Sequence, residues 1–229
     1  TYSLLGRKNP IDIFSPVGLK SAIELHFKIS GSQPGFPIQF HELEIDDKTL
    51  AFENKQLGVW AFPLNHRIKT FGYYFEEKPK LSHIKSSEIE KYKIPHYKIK
   101  EIKQGMDYAI PETGETIPNT VLTNPAYPSF SYAYCSDTKY NPKLAQWINK
   151  TDLLFHETTF MDKDKHLAEK TFHSTTIQAA RIAKMANAKK LIIGHFSSRY
   201  HDIREMEKEC KNVFENTVVA YDGMVLSVE

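Results

Sequence analysis

Four short apolar stretches each run into a residue of a kind that binds metal ions. Residues 57–64 lead to His66, 131–136 to Asp137, 153–155 to His156 and Glu157, and 191–194 to His195. Neutral imidazoles mixed with carboxylates, and no thiolate among them, suit zinc or another borderline divalent cation, and one carboxylate can bridge two such ions about 3.5–4 Å apart. The chemistry open to that donor set is hydrolysis at a binuclear centre. A single histidine before a loop says little. Several at the ends of successive strands say more, because they share a placement.

The elements that must position these residues follow from pattern and punctuation. Apolar strands at 131–136, 152–155 and 190–193 alternate with helical segments, which predicts an α/β layer whose strand ends meet at one edge. Asn141-Pro142 precedes Leu144, Trp147 and Ile148, and Ser174 stands as a cap before Ala179, Ile182, Ala183 and Ala186. A last helix is expected near 202–213, and a closing hairpin from 218–221 and 224–228 around Asp222-Gly223. Earlier in the chain, Ser15-Pro16 before Leu19, Ala22 and Ile23 reads as a helix start, and 40–45, 50–53 and 57–64 as strands.

Residues 76–120 differ in character and read as an exposed arm outside the core. Lys78, Lys80, Lys85, Lys91, Lys93, Lys98, Lys100 and Lys103 are interleaved with Tyr92, His96 and Tyr97. Eight lysines against Glu88, Glu90 and Glu101 leave an excess of five charges over 78–103, in a chain whose total is +2. Such a segment is either a local basic surface for phosphates or a solvated lysine-rich insertion.

The whole chain has 229 residues, 41% of them hydrophobic and 25% charged, enough for one domain with a sizeable core and unlike a disordered tail. The net charge of +2 gives no global field for a nucleic acid or a membrane, so any basic surface must be local. Cys135 and Cys210 have no Cys-x-x-Cys spacing, which argues against a thiolate zinc cluster and for a reducing compartment. No apolar run approaches the ~18 residues of a membrane span. A cytoplasmic protein with no membrane partner is expected.

Five segments carry a specific resemblance. Asn65-His66-Arg67-Ile68-Lys69-Thr70-Phe71-Gly72-Tyr73, Cys135-Ser136-Asp137-Thr138, His156-Glu157-Thr158-Thr159-Phe160, Phe172-His173-Ser174-Thr175 and Gly194-His195-Phe196-Ser197-Ser198-Arg199-Tyr200 resemble, in order, motifs of ribonuclease Z. That family comprises the metallo-β-lactamase-fold endonucleases that remove the 3′ trailer from precursor tRNA. The resemblance implies an α/β fold of the αββα sandwich type over residues 1–229, with 76–120 as an inserted substrate-binding arm. It implies two zinc ions per subunit, His66 on one, His195 on the other and Asp137 bridging them. His173 becomes the proton donor, Glu157 the group that orients or charges it, Arg199 a phosphate contact, and the eight lysines the RNA-binding set. His156 is expected to pack beside the site. The family's His-x-His-x-Asp-His motif is absent, since no two histidines here are separated by one residue. The resemblance therefore implies an N-terminally incomplete sandwich, inactive alone, within an enzyme that forms a homodimer. Two other functions fit the same residues: a hydrolase of small phosphodiesters on the same fold, and a non-catalytic RNA-binding subunit.

Overall fold

The computed structural model describes residues 1–227. Strands β1 (Ile11–Pro16) and β2 (Ile38–Leu43) pair in parallel, with helix α1 (Leu19–Ser30) as the crossover such pairing requires. The helix start expected at Ser15-Pro16 is overturned. Both residues complete β1, where Pro16 ends the strand opposite Leu43. The helix begins only after Gly18, which takes φ 104° and donates its N–H to the Glu42 carboxylate. Strands β3 (Thr49–Glu53), β4 (Leu57–Leu64) and β5 (Thr70–Glu77) follow, β3 and β4 antiparallel with a bulge between Leu50 and Phe52.

Residues Glu77–Ser129 form a second compact unit. It contains β6 (His83–Ile84), α2 (Ser86–Lys91), α3 (Ile99–Lys103), β7 (Tyr108–Ala109), β8 (Thr116–Ile117), α4 (Asn119–Leu122) and β9 (Thr123–Asn124). The large aliphatics expected to be sparse here are as frequent as in the rest of the chain, and Ile94, Ile102, Tyr108, Ile117 and Leu122 are buried together as a core of their own. The unit runs past residue 120 because β9 returns to pair with β6, Asn124 opposite His83.

The chain then continues through β10 (Ser131–Cys135), α5 (Leu144–Trp147), β11 (Leu153–Glu157), α6 (Lys165–Thr171), α7 (Thr176–Met185), β12 (Lys190–Gly194), α8 (Ile203–Lys211) and β13 (Thr217–Val219). The sheet order is β13-β12-β11-β10-β5-β4-β3, parallel from β10 to β13, with β5 antiparallel to β10. β11 and β12 are short, nearly continuous apolar runs, as expected of parallel strands covered by helices. Leu154, Leu191 and Ile193 are fully buried in one core with Ala180, Ile182 and Ala183 of α7 and Met206 and Cys210 of α8. The cap of α7 is Thr175 rather than Ser174. Its hydroxyl accepts from the Gln178 N–H while the Gln178 side chain accepts from the Thr175 N–H. The closing hairpin is also corrected: Asp222-Gly223 turns, but 224–227 form no strand, and Val228 lies outside the described residues. Among the described residues no helix is long and apolar enough to cross a membrane.

Asp152 fixes the entry to β11. Its carboxylate accepts from the Ser131 N–H at 2.7 Å and the Ser131 hydroxyl at 2.8 Å, with Lys189 Nζ at 2.6 Å. Burial opposes its charge, but the Lys189 ammonium and the Ser131 donors hold the carboxyl below its ordinary 3.8. Because the folded value is the lower one, this contribution is present above pH 3.8 and is lost as pH falls through the folded value. Asp152→Asn should cost about 1–3 kcal/mol at neutral pH in urea unfolding. The gap from wild type should shrink in acid.

Candidate metal centre

Because β10, β11 and β12 run parallel, their C-terminal ends lie on one edge of the sheet. β5 is antiparallel to β10, with Tyr73 opposite Tyr134, so the turn from β4 into β5 falls on that same edge. These facts bring together residues far apart in sequence. His66 stands in the β4–β5 turn, Asp137 just past β10, Glu157 ends β11, His195 follows β12, and His173 precedes α7. His195 Nε2 lies 3.4 Å from Asp137 Oδ1, and His66 Nε2 lies 4.0 Å from Asp137 Oδ2. The two carboxylate oxygens thus face two different imidazoles. His173 joins them: one ligand atom each from Asp137, His173 and His195 falls within 4.8 Å of the others.

Each imidazole is oriented through Nδ1. His66 Nδ1 donates to the Phe172 carbonyl at 3.0 Å, His173 Nδ1 to Glu157 Oε1 at 2.9 Å, and His195 Nδ1 contacts Thr159 Oγ1 at 2.8 Å. With Nδ1 engaged, the second ring nitrogen is left for a ligand, the arrangement that metal-binding histidines generally show. Phe172 and His195 adopt left-handed backbone angles, φ 62° and 61°. That conformation costs roughly 1–2 kcal/mol for a residue with a Cβ. Gly194 precedes His195 because a Cβ there would meet the Phe155 ring at 2.8 Å. The imidazoles of His66 and His195, each with an unengaged nitrogen, and a carboxylate offering both oxygens fit a borderline divalent cation.

Glu157 organises the back of the site. It is fully buried and accepts five hydrogen bonds, from the N–H groups of Thr138, Thr159 and Ser174, from the Thr159 hydroxyl and from His173. Burial works against its charge, but the His173 hydrogen bond and the N–H donors of Thr138 and Thr159 prevail and hold its carboxyl below the ordinary value. In turn, the Glu157 hydrogen bond raises the pKa of His173 against partial burial. His156 points into the core, with Nδ1 donating to the Glu157 carbonyl at 2.7 Å, and burial pushes its pKa down. Arg199 is exposed, with Nε donating to Ser197 Oγ at 3.1 Å and its guanidinium 5.0 Å from the Phe160 ring centroid, a ring that also neighbours His173.

Two groups orient the histidines without standing out in the sequence. Thr159 follows Glu157 by two positions, so a strand-end hydroxyl beside a carboxylate was the available signal. The Phe172 carbonyl offered none, because every residue has one.

The lysines all fall in the Glu77–Ser129 unit and differ in freedom. Lys80, Lys91 and Lys98 pair with Glu77, Glu88 and Glu101, while Lys85 donates to the Val121 carbonyl. Lys93 and Lys100 are exposed. The unit also contains Glu77, Asp107, Glu112 and Glu115, so its eight lysines meet seven carboxylates. The basic excess belongs to the 78–103 segment and not to the unit.

No family model matches the chain. Curated relatives do. A protein named Ribonuclease Z from Bacteroides thetaiotaomicron is 40% identical over 228 residues, covering 100% of this chain and 72% of the relative. Another of that name from Porphyromonas gingivalis is 38% identical over 224 residues, covering 98% of this chain and 73% of its own length. Among solved structures, the short form of human tRNase Z superposes with a TM-score of 0.64 at 23% identity, over 99% of this chain and 70% of that one. A metallo-β-lactamase fold protein from Bacillus subtilis gives 0.60 at 15% identity, over 98% and 68%. The likeness to these two is one of fold.

Proposed function

We propose that this chain, which belongs to the ribonuclease Z family and has the metallo-β-lactamase fold, serves a metal-dependent endoribonuclease that removes the 3′ trailer from precursor tRNA. The observation that carries this reading is the convergence of His66, Asp137 and His195 on one sheet edge, with imidazole nitrogens facing opposite oxygens of one carboxylate. That division supports a pair of ions, and the donor types support zinc.

A divalent metal held by His66, Asp137 and His195 would supply positive charge at the phosphoryl oxygens and lower the pKa of water. The chain's own residues do the rest. As a water oxygen bonds to phosphorus, the bond to the 3′ oxygen breaks and leaves its electron pair on the tRNA oxygen, which needs a proton. His173 is suited to give it, because Nδ1–H is held on Glu157 and that carboxylate favours the protonated ring. The Nε2 proton then passes to the 3′ oxygen, leaving a hydroxyl on the tRNA and a phosphate on the trailer. A nitrogen that delivers a proton cannot also bind a metal, so His173 is assigned to proton transfer. Arg199, anchored on Ser197 and Phe160, presents a forked donor to a phosphate oxygen.

The test compares a trailer-bearing tRNA with a bis-aryl phosphodiester as substrates of the enzyme that carries this chain. Lys93→Gln with Lys100→Gln should weaken tRNA binding and lower the salt slope by about 1 for each lysine–phosphate ion pair removed. Cleavage of the small diester should stay unchanged. Cleavage of the diester with no cleavage of the tRNA would favour the small-phosphodiesterase alternative.

A further inference from the structure

We propose that the Thr159 hydroxyl is a positioning group that fixes the tautomer of His195, so that one buried carboxylate, Glu157, governs both His173 and His195. The reason lies in the single proton a hydroxyl has to give. Thr159 Oγ1 lies 2.8 Å from Glu157 Oε2, 2.8 Å from His195 Nδ1 and 3.2 Å from His173 Nδ1. A charged carboxylate oxygen only accepts, and it outcompetes a neutral imidazole nitrogen for the proton. Thr159 therefore donates to Glu157 and presents lone pairs to the imidazoles. His195 must then carry its proton on Nδ1, and Nε2 is left bare, 3.4 Å from Asp137. The opposite tautomer would place two lone pairs against each other at 2.8 Å, a closer approach than the 3.4 Å between the bare Nε2 and Asp137 Oδ1 that the Nδ1 tautomer accepts and that a cation between them relieves.

Oε1 of Glu157 thus acts directly on His173, and Oε2 acts through Thr159 on His195. This inference rests on the reading of His195 as a metal ligand, for which a bare Nε2 is the required form.

The test uses the full chain labelled with nitrogen-15. Long-range proton–nitrogen spectra of the metal-free protein should show His195 protonated at Nδ1. Thr159→Val should replace that signature with the other tautomer or a mixture, and should weaken zinc binding by about 10- to 100-fold in a competitive titration. Thr159→Ser, which keeps the hydroxyl, should restore both. If the valine variant does not fold, Thr159→Ala against Thr159→Ser makes the same comparison. A hydroxyl-free variant with the Nδ1 tautomer intact and zinc affinity within about two-fold of wild type, far from the effect expected when a ligand's orienting partner is removed, overturns the proposal. Tautomer dependence on the hydroxyl together with a zinc affinity that His195→Ala leaves unchanged supports the positioning by Thr159 and overturns the metal reading of His195 instead.

Discussion

Asp137→Asn should leave the fold intact and remove the metal. The substitution keeps the side-chain shape but discards its charge and one of the two oxygens that face His66 and His195. Loss of a group merely standing behind a ligand costs about 10- to 100-fold in affinity. Loss of the carboxylate shared by both imidazoles should exceed that, and precursor cleavage should fall by about 10³-fold, the upper range for removing one transition-state partner. The Asp137 side chain is 35% exposed, so thermal stability should move by no more than about 0.5 kcal/mol. The competing view is a plain ion cluster, in which two protonated histidines flank a carboxylate. Exposed pairs of that kind contribute about 0–1 kcal/mol and would leave zinc affinity unaffected. Equilibrium zinc titration of the variant separates the two, and unchanged affinity would place the cations elsewhere.

That His66, Asp137, Glu157 and His195 share one sheet edge was legible in sequence because each follows an apolar run, whereas His173 and Arg199 stood out only through the resemblance to ribonuclease Z. Leu57–Leu64 and Lys190–Gly194 are bounded stretches whose ends fall where the sequence puts them. Ser15-Pro16 misled because a local helix-start signal was outweighed by pairing with a strand that begins at Ile38. β5 gave no strand signal: Thr70–Glu77 carries aromatic residues on both faces, so alternation is hidden. The core of Glu77–Ser129 was illegible for a different reason. Its buried residues come singly from separate short elements, and no window of sequence holds enough of them to show a period. The Nδ1 partners of the histidines are carbonyl, carboxylate and hydroxyl groups brought in from other strands and loops, which only the folded backbone assembles.

Glu157→Gln should cost far more stability than its conservative appearance suggests. The carboxylate accepts from the loop after β10 through the Thr138 N–H, from the segment after β11 through Thr159, and from the approach to α7 through His173 and the Ser174 N–H. It therefore ties three connections to one buried point. A glutamine offers a single acceptor oxygen and turns an NH2 toward donors, so several of the five hydrogen bonds lose their partner while remaining out of water. Each buried donor left unsatisfied costs about 1–3 kcal/mol, and breaking a buried charge pair about 3–5 kcal/mol in all. For a chain of this size that corresponds to a fall in melting temperature of roughly 10 °C. Thermal unfolding followed by circular dichroism measures it directly. His173 would lose its charge partner in the same variant, so proton delivery should weaken together with the fold. If Glu157→Gln melts within about 2 °C of wild type, the stability cost is less than 1 kcal/mol, and the carboxylate cannot be the anchor of these three connections.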